Sequence, residues 1–402
     1  MKVDSPIVVA GGGIGGLGTA LALAHDGSDA VVLERAPEFS EIGAGIQLGP
    51  NFVRALARLG LRDRVLSDAW FPPNLVFNNA MTGKEITRVP VDGGFRERFG
   101  APYALTHRAD LLAALVEACH DHPNISLRTS SEVTSIDVQG DDVHVGVAGA
   151  ATLTTALLIG ADGLWSRTRE YVMGDGKPEP SGHIAYRAVL NAQDVPADLW
   201  SDDMNVWLGP RTHLVTYPLR RGELFNLVAV FHSDRYAEGY DRAGELDELW
   251  RHFGGECSSV RRLLERIESW KYWVLCDREP RRGWSRGPVT LVGDAAHPML
   301  QYLAQGAAMS VEDGLRLSSE LRHNDQIDQA LALYEAARLK RTARAQLTSR
   351  IYGYVFHASD VLAEMRDEAI GGWPPEQHWE AMSWMYDDTD DAADPTTKES
   401  RA

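Results

Sequence analysis

The sequence predicts an α/β protein with a Rossmann-like dinucleotide-binding lobe, an antiparallel-sheet lobe inserted into it, and a helical C-terminus. Three observations predict this. A glycine-rich turn joins a short apolar strand to a helix near the N-terminus. A strand-dense stretch with tight turns fills residues 181–273. An apolar strand of the N-terminal kind then returns at 289–292, ahead of long helical runs.

Taken in order, Ile7–Ala10 reads as a short buried strand, Leu17–Asp26 as a helix and Ala30–Leu33 as a second strand, which together make one βαβ unit. Helices follow at Asn51–Leu59 and Arg108–His120. Val133–Val138, Val143–Val147 and Ala156–Ile159 alternate or run apolar in strand fashion. Ala185–Leu190, Met204–Leu208, His213–Pro218 and Leu224–Phe231 are strand-like and turn at Gly209-Pro210 and Arg221-Gly222, the pattern of consecutive antiparallel strands. Val289–Val292 resumes the nucleotide-lobe pattern. Ala308–Leu321 and Gln326–His357 are helical, and the acidic end Asp387–Ala402 is expected to fray. The expected boundaries are 1–71, 100–180 and 277–350 for a discontinuous nucleotide-binding domain, 72–99 and 181–276 for a substrate domain, and 351–402 for a helical segment with an acidic tail.

At 402 residues the chain has room for two or three lobes that share cores. Its formal net charge of −17 argues against nucleic-acid binding, which needs clustered Lys and Arg. An anionic substrate would have to be drawn in by local groups instead. The one basic run, Arg338–Arg344, lies in a helical stretch and reads as a solvated face. Cys119, Cys257 and Cys276 lack metal-ligand or redox-pair spacing and read as reduced thiols. The start Met1-Lys2-Val3-Asp4-Ser5-Pro6 is not that of a signal peptide, and no stretch approaches the ~20 apolar residues of a membrane helix. A soluble, cytoplasmic protein is expected.

Gly11, Gly13 and Gly16 form G-x-G-x-x-G around Ile14, between the first strand and its helix. The three glycines serve the tight turn, the approach of backbone to a pyrophosphate, and close helix–strand packing; the helix N-terminus offers free N–H groups to the phosphate. Glu34 closes the second strand, 18 residues after Gly16, where a carboxylate can accept from a ribose diol. A bound dinucleotide follows; whether it is FAD or NAD stays open on this motif alone.

Two further motifs each put an Asp where a strand ends: Gly160-Ala161-Asp162-Gly163-Leu164-Trp165-Ser166-Arg167-Thr168-Arg169 and Gly293-Asp294-Ala295-Ala296-His297-Pro298. Alone, either could be an Asp-capped turn. In this order, with Thr106-His107-Arg108-Ala109-Asp110-Leu111 between them, the motifs resemble the class A FAD-dependent aromatic hydroxylases, the group of 4-hydroxybenzoate and salicylate hydroxylases, over residues 5 to about 350. The resemblance implies tightly bound FAD with its ribose on Glu34 near Arg35, its pyrophosphate along Arg108 and its ribityl chain on Asp294. Gln47 is expected among the cofactor contacts, and Asp162, Gly163 and Arg169 belong to a motif tied to flavin and pyridine nucleotide. Gly306-Ala307, opening a helix, would present N–H groups to the pyrimidine end of the flavin, where a helix N-terminus stabilises the anion of the reduced ring. A reduced nicotinamide, NADH by analogy with the relatives, is implied as a transient co-substrate without a Rossmann domain of its own. Relatives of this class are commonly dimers, so a homodimer is an expectation of the resemblance and not of the residues.

At the substrate end most relatives carry a proline four residues after the His of Gly-Asp-Ala-Ala-His; here that position is Gln301. With Thr212-His213-Leu214-Val215-Thr216-Tyr217-Pro218, this departure is similar to the 3-hydroxybenzoate 6-hydroxylases, which make gentisate. Independently, His213, Val215 and Tyr217 share one face of a strand, and the Cα atoms of His213 and Tyr217 lie roughly 13 Å apart, so their side chains could lean on either side of one aromatic ring. The bland alternative is a hydrogen-bonded sheet histidine and a core tyrosine.

The family chemistry implied is attack of a flavin C4a-hydroperoxide, formed with O2, on a small phenolic acid; position 6 of 3-hydroxybenzoate is para to its hydroxyl. His213 would draw off the phenolic proton, Gln301 would orient phenol or oxidant, and Tyr217 would hydrogen-bond substrate. An ordinary imidazole is roughly 5 kcal/mol too weak to ionise an ordinary phenol outright, so proton transfer should accompany attack. No partner for the substrate carboxylate is legible, although Arg187 and Arg220 lie nearby in sequence. A salicylate 1-hydroxylase, or another phenolic-acid hydroxylase of the class, is the alternative.

Overall fold

The computed structural model describes residues 5–40, 44–235 and 242–387. Its organising element is a five-stranded parallel sheet in the order Val289–Leu291, Leu158–Gly160, Ile7–Ala10, Ala30–Leu33, Ile125–Arg128. The inner strands are short apolar runs buried on both faces, as a sheet covered by helices requires. Ala10 pairs with Leu33 and with Gly160, and Gly160 with Leu291. The loops after these strands therefore leave the same edge, which brings the three separated motifs together.

The glycine turn opens the helix Ile14–His25, somewhat earlier than the apolar spacing suggests, because the glycines themselves continue the helix. This helix is almost wholly buried between the sheet and the helix Gly306–His323. The two approach so closely that a Cβ on Gly314 would lie 2.7 Å from the Thr19 Cα.

An eight-stranded sheet carries the inserted lobe, in the order Arg242–Ala243, Lys271–Asp277, Glu179–Asn191, Leu224–His232, Thr212–Leu219, Met204–Gly209, Asn74–Asn79, Glu85–Pro90. All pairs are antiparallel except Met204–Gly209 with Asn74–Asn79. Thr212–Leu219 is buried throughout. Leu214 faces a core with Phe225, Leu227, Phe253 and Leu263, while Val215 and Tyr217 face the opposite core with Tyr302 and Phe356. A small antiparallel sheet, Val133–Gln139, Asp142–Val147 and Leu153–Thr155, sits beside the parallel one. Gly45–Leu48 pairs with Ala104–His107.

Several strands escape a sequence reading. Asn74–Asn79 is rich in asparagine, and Ile125–Arg128 is an edge strand with polar residues at alternate positions. Their pairing depends on neighbours, not on local propensity. The helix Ile327–Phe356 is as long as its pattern indicates, but the Arg338–Arg344 run is only in part the solvated face expected, with Lys340 and Arg344 exposed. Arg338 is buried and Arg341 nearly so, because carboxylates on the facing helix Gly306–His323 receive them.

Two helices follow, Val361–Gly371 and Pro375–Tyr386. The trailing aromatics pack back on the body: Trp379 donates from Nε1 to the Pro90 carbonyl at 2.9 Å, and Tyr386 is buried among Phe95, Phe99 and Tyr103. Nearly all of the acidic end expected to fray lies outside the described residues. Among those described, no helix is long and apolar enough to cross a membrane.

Candidate active site

The cofactor edge begins at the glycine turn. Gly11 has φ +112° and a Cβ there would meet the Ala161 carbonyl; a Cβ on Gly16 would lie 1.9 Å from the Gly11 oxygen. Gly13 differs, since nothing lies within 4 Å of where its Cβ would be. That open cradle before the N-terminus of Ile14–His25 is the space a pyrophosphate needs. Glu34 accepts from the Gly12 and Ala36 N–H groups, both at 2.8 Å, which locks the turn to the second strand. A carboxylate has about four acceptor positions, so two hydroxyls of a ribose can still be received. Arg35 is exposed beside it, and Arg108 opens the helix Arg108–Asp121, whose second N–H is capped by the His107 ring at 3.3 Å.

The other two motifs reach the same edge differently. Asp162 spends its carboxylate on the Thr168 N–H at 3.0 Å and on the Ser166 and Thr168 hydroxyls, capping the helix Arg167–Met173. Its side chain therefore shapes the turn, and the glycine after it, at φ +76°, stays open. Arg169 is buried: it holds Asp175 and donates to the Ala295 and Ala296 carbonyls at 2.8 and 2.7 Å, tying one motif to the other. Asp294 is exposed at the turn and borders the start of the helix at Gly306, with Oδ1 3.8 Å from where a Gly306 Cβ would be. The chain reaches Gly306-Ala307 through Ala304, whose φ of +52° is a strained turn conformation for a residue with a Cβ.

A buried charge network holds this edge from behind. Asp313 accepts from the Gly293 N–H at 2.9 Å and from His297 Nε2 at 2.5 Å, and pairs with Arg338 at 2.7 Å. Glu312 takes Arg338 and Arg341, each at 2.8 Å, and the Asn51 amide at 2.8 Å. Burial alone would raise the Glu312 carboxyl, but Arg338, Arg341 and Asn51 outweigh it and hold it down to about 2.

The residues expected at the substrate end lie on Thr212–Leu219 and at the turn Gln301–Leu303. His213 is 2% exposed; its Nδ1 lies 2.8 Å from His357 Nε2, and its Nε2 has no hydrogen-bond partner among the described residues. Burial, with His183 nearby, pushes it down to about 3. Tyr217 lies on the same face, is raised by burial against the pull of Arg187 and Gln47, and stays a neutral phenol. Gln47 lies close by: its side-chain carbonyl accepts from the Tyr103 hydroxyl at 2.6 Å, and it hydrogen-bonds to Tyr217.

Gln301 begins the short turn Gln301–Leu303 leading to the helix Gly306–His323, and its carbonyl oxygen accepts from Arg187 at 2.7 Å. The amide group it can offer outward is therefore its NH2 donor. Arg187 also stacks 3.7 Å over the Trp273 ring. No partner for a substrate carboxylate is legible in the sequence, where Arg187 and Arg220 are only nearby. Arg220 is engaged by Asp110 at 2.7 and 2.8 Å, and Arg187 is the arginine that reaches Gln301. Tyr103, Trp273 and the ring of His357 were missed from sequence, and Arg187 was noted there only as nearby; parity along the strand Glu179–Asn191 gives the face of Arg187 but not what stands opposite it.

A glycine cradle with room for a pyrophosphate, an acidic ribose acceptor and a helix N-terminus behind a ring-binding face fit a flavin dinucleotide, and the class is that of the FAD-dependent aromatic monooxygenases. The chain belongs to the FAD binding domain family, matched over residues 4–349. It is 43% identical to 3-hydroxybenzoate 6-hydroxylase 1 of Aquipseudomonas alcaligenes over 94% of this chain and 97% of that protein, and 42% identical to 3-hydroxybenzoate 6-hydroxylase of Polaromonas naphthalenivorans over 95% and 96%. Among solved structures, Klebsiella pneumoniae HpxO complexed with FAD and uric acid superposes with a TM-score of 0.84 at 25% identity, covering 95% of this chain and 96% of that one.

Proposed function

We propose that the protein hydroxylates 3-hydroxybenzoate para to its hydroxyl, giving gentisate, with NADH and O2 as co-substrates in the cytoplasm. The observation that carries this reading is the hydrogen bond from Arg187 to Gln301 at the turn that leads into Gly306, with His213 and Tyr217 on one face of the strand Thr212–Leu219. The names of the most similar relatives support the same substrate.

When bound, FAD supplies an electrophilic oxygen from O2 at the expense of the nicotinamide's electrons. The residues do the rest. Arg187 provides positive charge for the carboxylate of a phenolic acid, which a chain of net charge −17 must place locally. Gln301, polarised by Arg187, donates from its NH2 to the phenolic oxygen as negative charge builds there. Tyr217 fixes the ring with its neutral hydroxyl. His213 Nε2 is placed to receive the phenolic proton. Moving that proton from an ordinary phenol onto so weak an imidazole would cost on the order of 10 kcal/mol. Transfer therefore accompanies oxygen attack and does not precede it.

The test is to give the FAD-loaded protein NADH, air and each hydroxybenzoate isomer in turn, and to identify products. Gentisate from the 3-isomer without CO2 is expected. Catechol with CO2 from salicylate would replace this reading with that of a decarboxylating hydroxylase.

A further inference from the structure

Behind His213 stand three more histidines from three separate elements. His183 lies on the strand Glu179–Asn191, His232 ends the strand Leu224–His232, and His357 caps the helix Ile327–Phe356. The sheet register sets His183 directly opposite His232. The Arg211 N–H, bonded to the His357 carbonyl at 3.1 Å, brings the end of the helix to the same place. His183 Nε2 and His232 Nε2 are 2.9 Å apart, His232 Nε2 and His357 Nδ1 are 3.1 Å apart, and all three ligand atoms lie within 4.8 Å of one another.

Proton bookkeeping makes this convergence unusual. A neutral imidazole has one N–H and one lone pair. The outer nitrogens are already engaged: His183 Nδ1 meets the Tyr302 hydroxyl at 2.6 Å and His357 Nε2 meets His213 Nδ1 at 2.8 Å. In the metal-free tautomer that the proposed reaction needs, His213 Nδ1 donates to His357 Nε2; when instead the hydrogens of His183 and His357 sit on these outer nitrogens, their lone pairs point inward at His232 Nε2. One N–H on His232 can satisfy only one of them. A cation at the centre takes all three lone pairs at once, and the outer N–H bonds become the orienting partners that metal-binding histidines characteristically have. The group contains no carboxylate, which disfavours Ca2+ and Mg2+, and three imidazoles suit a borderline transition metal. One contact opposes it: Arg211 lies 3.3 Å from His232 Nδ1. Arg211 is exposed and can turn to water, and half-buried His183 and His232 leave the site reachable from solvent.

We propose that His183, His232 and His357 form a site for a divalent transition metal, Zn2+ foremost, with a fourth coordination position left to water. Tetrahedral Zn–N bonds of about 2.0–2.1 Å would need the two close pairs to open by only a few tenths of an ångström. The site also governs its neighbour, a consequence that rests on the proposed role of His213. With His357 Nδ1 on the metal, His357 Nε2 must carry hydrogen and donate to His213 Nδ1. The hydrogen of His213 is then forced onto Nε2, the atom that must receive the phenolic proton. Metal binding therefore switches hydroxylation off.

The experiment uses tag-free, FAD-loaded, chelator-treated protein titrated with Zn2+ by calorimetry, and with Co2+ as an optical probe of tetrahedral nitrogen ligation. One equivalent per chain should bind with a Kd on the order of 1 µM. His232→Gln should weaken binding at least about 100-fold, keep metal-free turnover, and resist inhibition by Zn2+. Arg211→Asn removes the opposing charge at a surface position whose φ of +60° suits Asn, and should tighten binding several-fold. Binding no tighter than millimolar in the parent protein, or unchanged in both variants, overturns the site. Stoichiometric binding that leaves hydroxylation untouched overturns the control of His213. Metal binding is read without substrate, so a wrong substrate assignment would show separately, in the product analysis.

Discussion

In the proposed reaction, His213 and Arg187 divide the work at the ring between proton and charge. His213→Ala should slow hydroxylation by about 10²–10⁴-fold, the range for loss of a positioned base. Substrate affinity should change little, and stopped-flow oxidation of the reduced enzyme separates the two. A hydroxylation rate equal to that of the parent at neutral pH would remove His213 from the mechanism. Arg187→Lys keeps a charge but loses the planar fork that reaches Gln301 while stacking on Trp273. We expect substrate Kd to rise roughly 10–100-fold, about what a charge-assisted hydrogen bond contributes. Binding of an analogue without the carboxylate should be far less affected; equal losses for both would mean that Arg187 does not hold that group.

At the scale of elements, the strand–turn–helix unit separates packing from ligand space. A Cβ on Gly16 has to displace backbone, whereas one on Gly13 enters only the cradle. Gly16→Ala should therefore unfold the lobe or lower its melting temperature sharply. Gly13→Ala should leave the melting temperature of the flavin-free protein within a degree or two and greatly weaken FAD retention. Measuring both on stripped and reconstituted protein checks the contrast, and normal flavin content in Gly13→Ala would contradict it. The elements were read from local chemistry where that chemistry was periodic. The alternating face of His213, Val215 and Tyr217 is found as expected. The asparagine-rich strand Asn74–Asn79 has no such pattern, and its place is set by a parallel pairing with Met204–Gly209, distant in sequence.

For the molecule as a whole, the charge network around Glu312 and Asp313 links the long C-terminal helix to the cofactor edge. Arg338→Met would leave two buried carboxylates without their shared cation and should cost about 3–5 kcal/mol of stability. Chemical denaturation would read that loss, and a difference under 1 kcal/mol would show the network to be dispensable. The folded protein holds Glu312 below its ordinary 4.5, so its contribution is complete above that value and disappears as pH falls toward about 2. Glu312→Gln should accordingly flatten the acid limb of the stability–pH profile. Why this was illegible is physical: a basic run on a helix looks solvated until the facing helix supplies its carboxylates.

The sequence by itself determined the nucleotide-binding unit and the shared face of His213 and Tyr217, because glycine conformation, strand alternation and helix initiation act over a few residues; the flavin class was implied by the family resemblance of the motifs taken together. Only the tertiary structure decided that Arg187 serves Gln301, that Arg220 is engaged by Asp110, and that four histidines gather behind the ring site. Those contacts join residues separated by up to 144 positions. Local periodicity can say which way a side chain points, but its partner is chosen by sheet order and register, which only the packing of the whole chain fixes.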